Sequence, residues 1–294
     1  MKDSSWYTTH CIESLDDFLT YTDGLEGKWV FRGQKPQKGQ TFVTSLERAA
    51  KSFDTNRTEL ADLERKLIRE FRRRYNIYST SYVPEKNDVL EWLALMQHYG
   101  APTRLLDWTY SFYVAAYLAL ARDGDGYKIW ALNTEWFNYA RVITDRNFWR
   151  KNSSWFKKRH DNLHWTKQED SAEEEPAVKR NLMADYLMNR HPQKLVMAVN
   201  PFVLNDRLAA QQGLFLFPGN ISEGFDDNLT VRNYREEANA HLVRIIVCPD
   251  LKLRKDILYR LHRMNINSAT LFPGLQGFAE SLCVRLAFPE TLGG

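Results

Sequence analysis

Residues 97–109 (QHYGAPTRLLDWT) set the tightest limit on how this chain folds. Residues 88–96 before them are apolar almost all round, and residues 113–121 after them are alanine-rich and apolar. Both flanks read as buried helices. Gly100 can end the first helix and Pro102 prevents its continuation. The window therefore carries His98, Arg104 and Asp107 in a turn between two buried helices. Burying such groups is costly unless they are paired. Either Arg104 pairs with Asp107 while His98 closes the helix end, or the three line a pocket.

The segments around this window have simpler signatures. Residues 11–22 carry Ile12, Leu15, Phe18 and Leu19 at helical spacing, with Ser14 as a cap. Residues 28–34 read as a strand, with Trp29 and Phe31 on one face and Val30 and Arg32 on the other. Gly33 would let the backbone approach a ligand, and Arg32 offers a planar fork to a phosphate or carboxylate, or to an internal acid such as Asp107. Residues 36–43 form a polar loop. Thr44 and Glu47 have capping-box spacing. Residues 59–75 form an amphipathic helix with Leu60, Leu63, Leu67, Ile68 and Phe71 as its stripe. Arg69, Arg72, Arg73 and Arg74 at its end favour the helix dipole or, with Tyr75 and Tyr78, clamp a nucleic-acid strand.

Further strands are expected at 127–132, 194–199, 214–217 and 241–247, and a helix at 250–264. The pattern predicts an α+β fold with a mixed central sheet surrounded by helices, as a single domain over 1–294. An insert around 133–190 interleaves rings (Trp149, Trp155, Phe156, Trp165) with cations (Arg150, Lys157, Lys158, Arg159). It either packs as a helical insert or forms a nucleic-acid surface. Residues 169–175 are acidic. His160 and His164 have metal-ligand spacing but no third ligand, so no metal is expected.

Composition narrows the function classes. A net charge of +3 neither demands nor excludes nucleic acid. Three dispersed cysteines argue against a disulfide framework, and the start lacks the apolar core of a signal peptide. No apolar run is long enough for a membrane span, so a cytoplasmic setting without membrane contact is expected. Walker, GxGxxG, GxSxG and zinc patterns are absent.

Phe31-Arg32-Gly33-Gln34, Ser45-Leu46-Glu47-Arg48, the 97–109 window, Arg207 with Gln211-Gln212-Gly213-Leu214-Phe215, and residues 271–279 (LFPGLQGFA) together resemble the FRG domain family. More distantly, the aromatic-Arg-Gly strand resembles the first motif of Arg-Ser-Glu ADP-ribosyltransferases, although neither a Ser-Thr-Ser element nor a late-strand Glu-x-Glu is present. These resemblances imply an ADP-ribosyltransferase-like fold and a toxin-like enzyme in a toxin–antitoxin or phage-defence setting. Such an enzyme uses NAD as substrate and modifies nucleic acid, RNA first. Its partners would be an antitoxin protein and, further, a chaperone. Arg32, Gly33, Gln34, Arg104 and Gln211 would hold NAD, with His98 orienting the ligand. Asp107, Glu91 or Glu280 would stabilise the ribosyl cation. A non-catalytic nucleotide or nucleic-acid sensor, and a metal-independent nuclease with His98 as base, are the alternatives.

Overall fold

A seven-stranded sheet runs through the chain in the order β1-β7-β4-β2-β3-β6-β5. The strands are β1 (Thr8–Ile12), β2 (Trp29–Gln34), β3 (Leu106–Thr109), β4 (Lys128–Asn133), β5 (Val196–Val199), β6 (Gly213–Pro218) and β7 (Leu242–Val247). Only β1 and β7 pair in parallel; the other pairs are antiparallel. The computed structural model describes residues 7–34, 42–80, 82–122, 126–136, 146–159, 176–201, 203, 205–229 and 241–292. The expected loop at 36–43 lies mostly outside them, as do His160, His164, Trp165 and the acidic 169–175 segment.

Twelve helices accompany the sheet among the described residues: α1 (Leu15–Thr20), α2 (Ser45–Ser52), α3 (Leu60–Tyr78), α4 (Val89–His98), α5 (Phe112–Leu120), α6 (Arg146–Arg159), α7 (Pro176–Asn189), α8 (Asp206–Ala210), α9 (Phe225–Leu229), α10 (Leu251–Arg263), α11 (Ser268–Leu271) and α12 (Leu275–Arg285). The fold is α+β with a mixed sheet, as the pattern predicts. None of these helices is long and apolar enough to cross a membrane.

Alternation along the strands divides the core. Val30, Leu106, Trp108, Trp130, Leu132, Leu214 and Leu216 pack with Phe42 and Phe225 on one face. On the other face, Phe31, Ile129, Ala131 and Ile245 meet α1, α5 and α10. Further along that face, Met197, Val199, Phe215 and Phe217 meet α3, α4, α6 and α7. Two helical packs thus share one face of the sheet, and β3 lies between them. Pairing of Phe31 with Thr109, and of Asp107 with Phe215, puts Asp107 on this shared face.

Local signals explain several elements. Ser14 caps α1 by accepting from the Asp17 amide at 3.1 Å. Thr44 and Glu47 form the expected capping box of α2. Gly100 takes φ +79° just after α4.

Three expectations need correction. Residues 11–12 belong to strand β1, which continues a sheet edge instead of starting a helix. Residues 106–109 are a strand, not turn, because pairing with β2 and β6 supplies their hydrogen bonds. The buried line of α3 is Leu60, Glu64, Ile68 and Tyr75, whereas Leu67 is exposed. Of the two readings of the insert, the packed one holds for the described residues: Phe148, Trp149, Trp155 and Phe156 pack around Tyr186 of α7. Its cations Arg150, Lys151, Lys157 and Lys158 remain exposed.

Candidate functional site

A cleft of about 280 Å³ opens where the two helical packs part over β3. Helix α4 supplies Gln97 and His98 at its C-terminal end, and α2 supplies Ser45 and Arg48 from its first turn. Asn205, Arg207 and Gln211 come from the cap and body of the short helix α8 and the residue after it. Asp107 rises from β3 as the one acid lining the cleft among the described residues.

Asp107 is exposed yet held. Its Oδ2 accepts from Gln97 Nε2 at 3.1 Å. The Gln97 amide is oriented from behind, since its Oε1 accepts from Thr103 Oγ1 at 2.5 Å. Ser45 Oγ lies 3.3 Å from the same oxygen and accepts from the Thr103 amide at 2.9 Å. Thr103 is fully buried. A Ser–Thr–Gln chain anchored on buried Thr103 therefore presents an N–H to the Asp107 carboxylate, so the carboxylate faces the cleft in a defined orientation.

Arginines flank the acid. Arg48 is exposed and anchored by donating from Nη1 to the Val43 carbonyl at 2.6 Å. Arg207 is exposed and stacks over the Phe272 ring at 5.0 Å. Gln211 bridges to the same C-terminal turn by donating from Nε2 to the Leu271 carbonyl at 3.0 Å. Its own carbonyl accepts from Thr109 Oγ1 at 2.7 Å. Residues from the 45–48, 97–109 and 207–215 blocks thus line this cleft, and Leu271 and Phe272 of the last block hold Gln211 and Arg207 at its edge.

His98 ends α4, with its ring edge-on to Tyr99 at 4.9 Å. Desolvation and the neighbouring Arg207 cation lower its pKa from the ordinary histidine value, while Asp206 partly opposes them. The neutral form is favoured in the folded state, so this contribution to stability is present above pH ~6.5, the ordinary value. It is lost as pH falls through the lowered folded-state value. An NMR titration of the His98 ring should give a midpoint below that of a free histidine, moving upward in Arg207→Gln. A midpoint unchanged by the substitution would remove Arg207 from this account.

The remaining sequence candidates lie elsewhere. Arg32 is on the opposite face of the sheet, with Val30 and Trp130. Its Nη1 donates to the main-chain oxygen of Asp107, tying β2 to β3 just behind the carboxylate. Burial lowers the Arg32 pKa; the Asp107 charge opposes this and the nearby Arg48 charge adds to it. Arg32 thus positions Asp107 and does not line the cleft. Gln34 accepts from the Trp130 indole at 2.7 Å on that same far face. The close approach allowed by Gly33 is to helix α5, not to a ligand: an added Cβ would lie 2.1 Å from the Ala115 carbonyl oxygen.

Arg104 is 1 % exposed and belongs to the core. It does not pair with Asp107. Its Nε donates to Glu64 Oε2 at 2.8 Å and its Nη2 to the same carboxylate. Its Nη1 donates to the Pro218 carbonyl at 3.1 Å, and Phe217 lies under the guanidinium at 4.9 Å. Glu91 is buried in the first turn of α4 and accepts from the Val203 amide at 3.4 Å. It sits about 10 Å along the helix from His98. Glu280 of α12 pairs with Arg122 at 3.6 Å and accepts from Gln276 at 3.1 Å, away from the cleft.

Sequence reasoning assigned no role to Gln97, Ser45, Arg48, Asn205 or Arg207, which the cleft gathers. Ser45, Arg48, Gln97 and Arg207 lie within the blocks that carry the family resemblance, which was their signal; Asn205 had none.

No curated protein and no solved structure matches the chain. The family model of the FRG domain matches residues 27–128, which hold Arg32, the Ser45–Arg48 turn, Gln97, His98 and Asp107. Residues 27–128 therefore carry an FRG domain.

Proposed function

We propose that the cleft binds the ribosyl end of NAD and transfers ADP-ribose to an acceptor. The observation that carries this reading is the oriented carboxylate of Asp107, the one acid lining the cleft among the described residues, set between two arginines and beside His98. Arg48 and Arg207 hold the pyrophosphate at the rim. Asp107 faces the ribose. The bond between nicotinamide and C1′ of the ribose breaks with its electron pair leaving on nicotinamide. The Asp107 carboxylate stabilises the cationic sugar that develops, as carboxylates do in glycoside cleavage. The acceptor nucleophile then bonds to C1′ and its proton passes to His98. Arg32 acts through Asp107 as a positioning residue.

RNA is the first acceptor to test, on the exposed cations of α6 and not on its buried rings. A toxin role with an antitoxin partner follows if transfer arrests growth. The second reading is a nucleotide sensor without chemistry. It is favoured by the modest volume of the cleft, which lies at the low end for ligand sites.

The deciding experiment incubates purified protein with labelled NAD and, separately, RNA, DNA and cell protein. Wild type should label one acceptor class. Asp107→Asn, whose side chain is exposed and whose amide can still meet Gln97, should melt normally and label it about 10²–10³-fold more slowly, the usual range for losing one electrostatic stabiliser. Unconsumed NAD in a folded sample would sink the transferase and leave the sensor. RNA cleavage without NAD would instead point to a nuclease with His98 as base.

A further inference from the structure

A second and larger groove, about 720 Å³, lies away from the cleft between α3, the 82–88 loop and the C-terminal end of α7. Its floor is apolar: Ile68, Val83, Val89, Trp92 and Met188. The loop side is fixed by the Trp92 indole donating to the Glu85 carbonyl at 2.9 Å. The α7 side is fixed by Arg65 Nη1 donating to the Met188 carbonyl at 2.9 Å.

The rim is cationic. Arg65, Arg69, Arg72 and Arg73 follow one another along α3, and Lys86 faces them from the loop. Arg65 and Arg73 are about 12 Å apart along the axis at 1.5 Å per residue. Arg65 is tied to Asp62, and Arg73 lies 3.6 Å from Glu70. No acid among the described residues pairs with Arg69, Arg72 or Lys86. Burial draws the Arg72 pKa down, with no carboxylate offsetting it. The one acid lining the groove among the described residues, Asp185, is buried and accepts from Asn189 at 2.7 Å.

An apolar floor under an unneutralised cationic rim suits a ligand with one apolar and one acidic face. A nucleic-acid strand needs exposed rings for its bases. Here Trp92 is 3 % exposed, covered on its face by Arg72 at 5.3 Å and met edge-on by Tyr75 at 5.8 Å. We propose that this groove docks an acidic amphipathic peptide segment of a partner protein, its apolar side chains on the accessible Val83 and Val89, with buried Ile68, Trp92 and Met188 beneath, and its carboxylates on Arg69, Arg72 and Lys86. Helix-in-groove recognition of this kind needs about two turns of peptide, which the length of the rim accommodates.

Selection from a displayed library of twelve-residue peptides tests it. Wild-type protein should enrich acidic sequences with apolar residues at helical spacing. The strongest of these, made synthetically, should bind at least ten-fold more weakly to Arg69→Glu/Lys86→Glu, and more weakly in high salt. Both side chains are exposed, and the charge-removing pair Arg69→Gln/Lys86→Gln should show the same order at smaller size in a protein that melts like wild type. Selection without an acidic consensus, or binding retained by both double variants, would overturn the proposal. So would displacement of the selected peptide by a twelve-nucleotide single-stranded RNA, which would assign the groove to nucleic acid.

Discussion

Arg104→Ala should lower stability by about 3–5 kcal/mol, the usual effect of breaking a buried pair and leaving its partner charged and unpaired. Glu64 is fully buried on α3, and among the described residues every donor that faces its carboxylate comes from Arg104: the guanidinium, and the main-chain amide at 3.3 Å. Glu64→Ala should cost a similar amount by stranding the guanidinium against Phe217 and the Pro218 carbonyl. Replacing both, as Arg104→Met with Glu64→Leu, should recover most of the loss, because paired apolar side chains can substitute for a buried ion pair. It should not recover all of it, since the Pro218 carbonyl loses its donor. Urea denaturation of the two single variants and the double variant closes the cycle. Single losses under 1 kcal/mol would show that water reaches the pair. The comparison also guards the functional tests, because an inactive Arg104 variant reports unfolding and not a lost ligand contact.

Gly33→Ala should be nearly as damaging, by overpacking in place of lost charge. Strand β2 lies directly under α5, and a methyl at this position would sit 2.1 Å from the Ala115 carbonyl oxygen and 2.8 Å from the Ala119 amide nitrogen. Both are main-chain atoms of a helix whose residues are almost all buried, so no side chain can turn aside. The helix must lift from the sheet, at a cost of about 3 kcal/mol or more, the upper part of the range for overpacked cores. Gly100→Ala is the control. Nothing lies within 4 Å of an added Cβ there, and the strain is that of φ +79° alone, about 1–2 kcal/mol. Midpoints in urea should therefore rank wild type, then Gly100→Ala, then Gly33→Ala. The reverse order of the two variants would mean that α5 shifts freely.

Much of this fold can be read from local pattern. The Thr44–Glu47 box, the Ser14 cap, strand β2 and the apolar helices α4 and α5 each carry their signal within a few residues. Elements decided by distant partners are harder to see. Strand β3 has four residues, one of them an exposed aspartate, and follows a Gly–Pro break; only pairing with β2 and β6 makes it a strand. Glu64 sits in a helix otherwise read by its leucines, and the arginine that justifies its burial is far along the chain. The cleft is legible in the same partial way. Asp107, His98 and Gln211 are visible as candidates, but strand register decides that Asp107 faces the cleft while Arg32 faces away.

The sheet order has a bearing on what the recognised segment can be by itself. Within residues 27–128, β2 and β3 touch each other at Phe31 and Thr109. The long partner of β2 is β4, which begins at Lys128, and the long partner of β3 is β6, beyond residue 212. Cut at its recognised ends, the segment would expose two open strand edges and the apolar side of α5. In this chain the recognised stretch is thus not by itself a unit of folding: the later strands β4 and β6 supply both flanks of its part of the sheet.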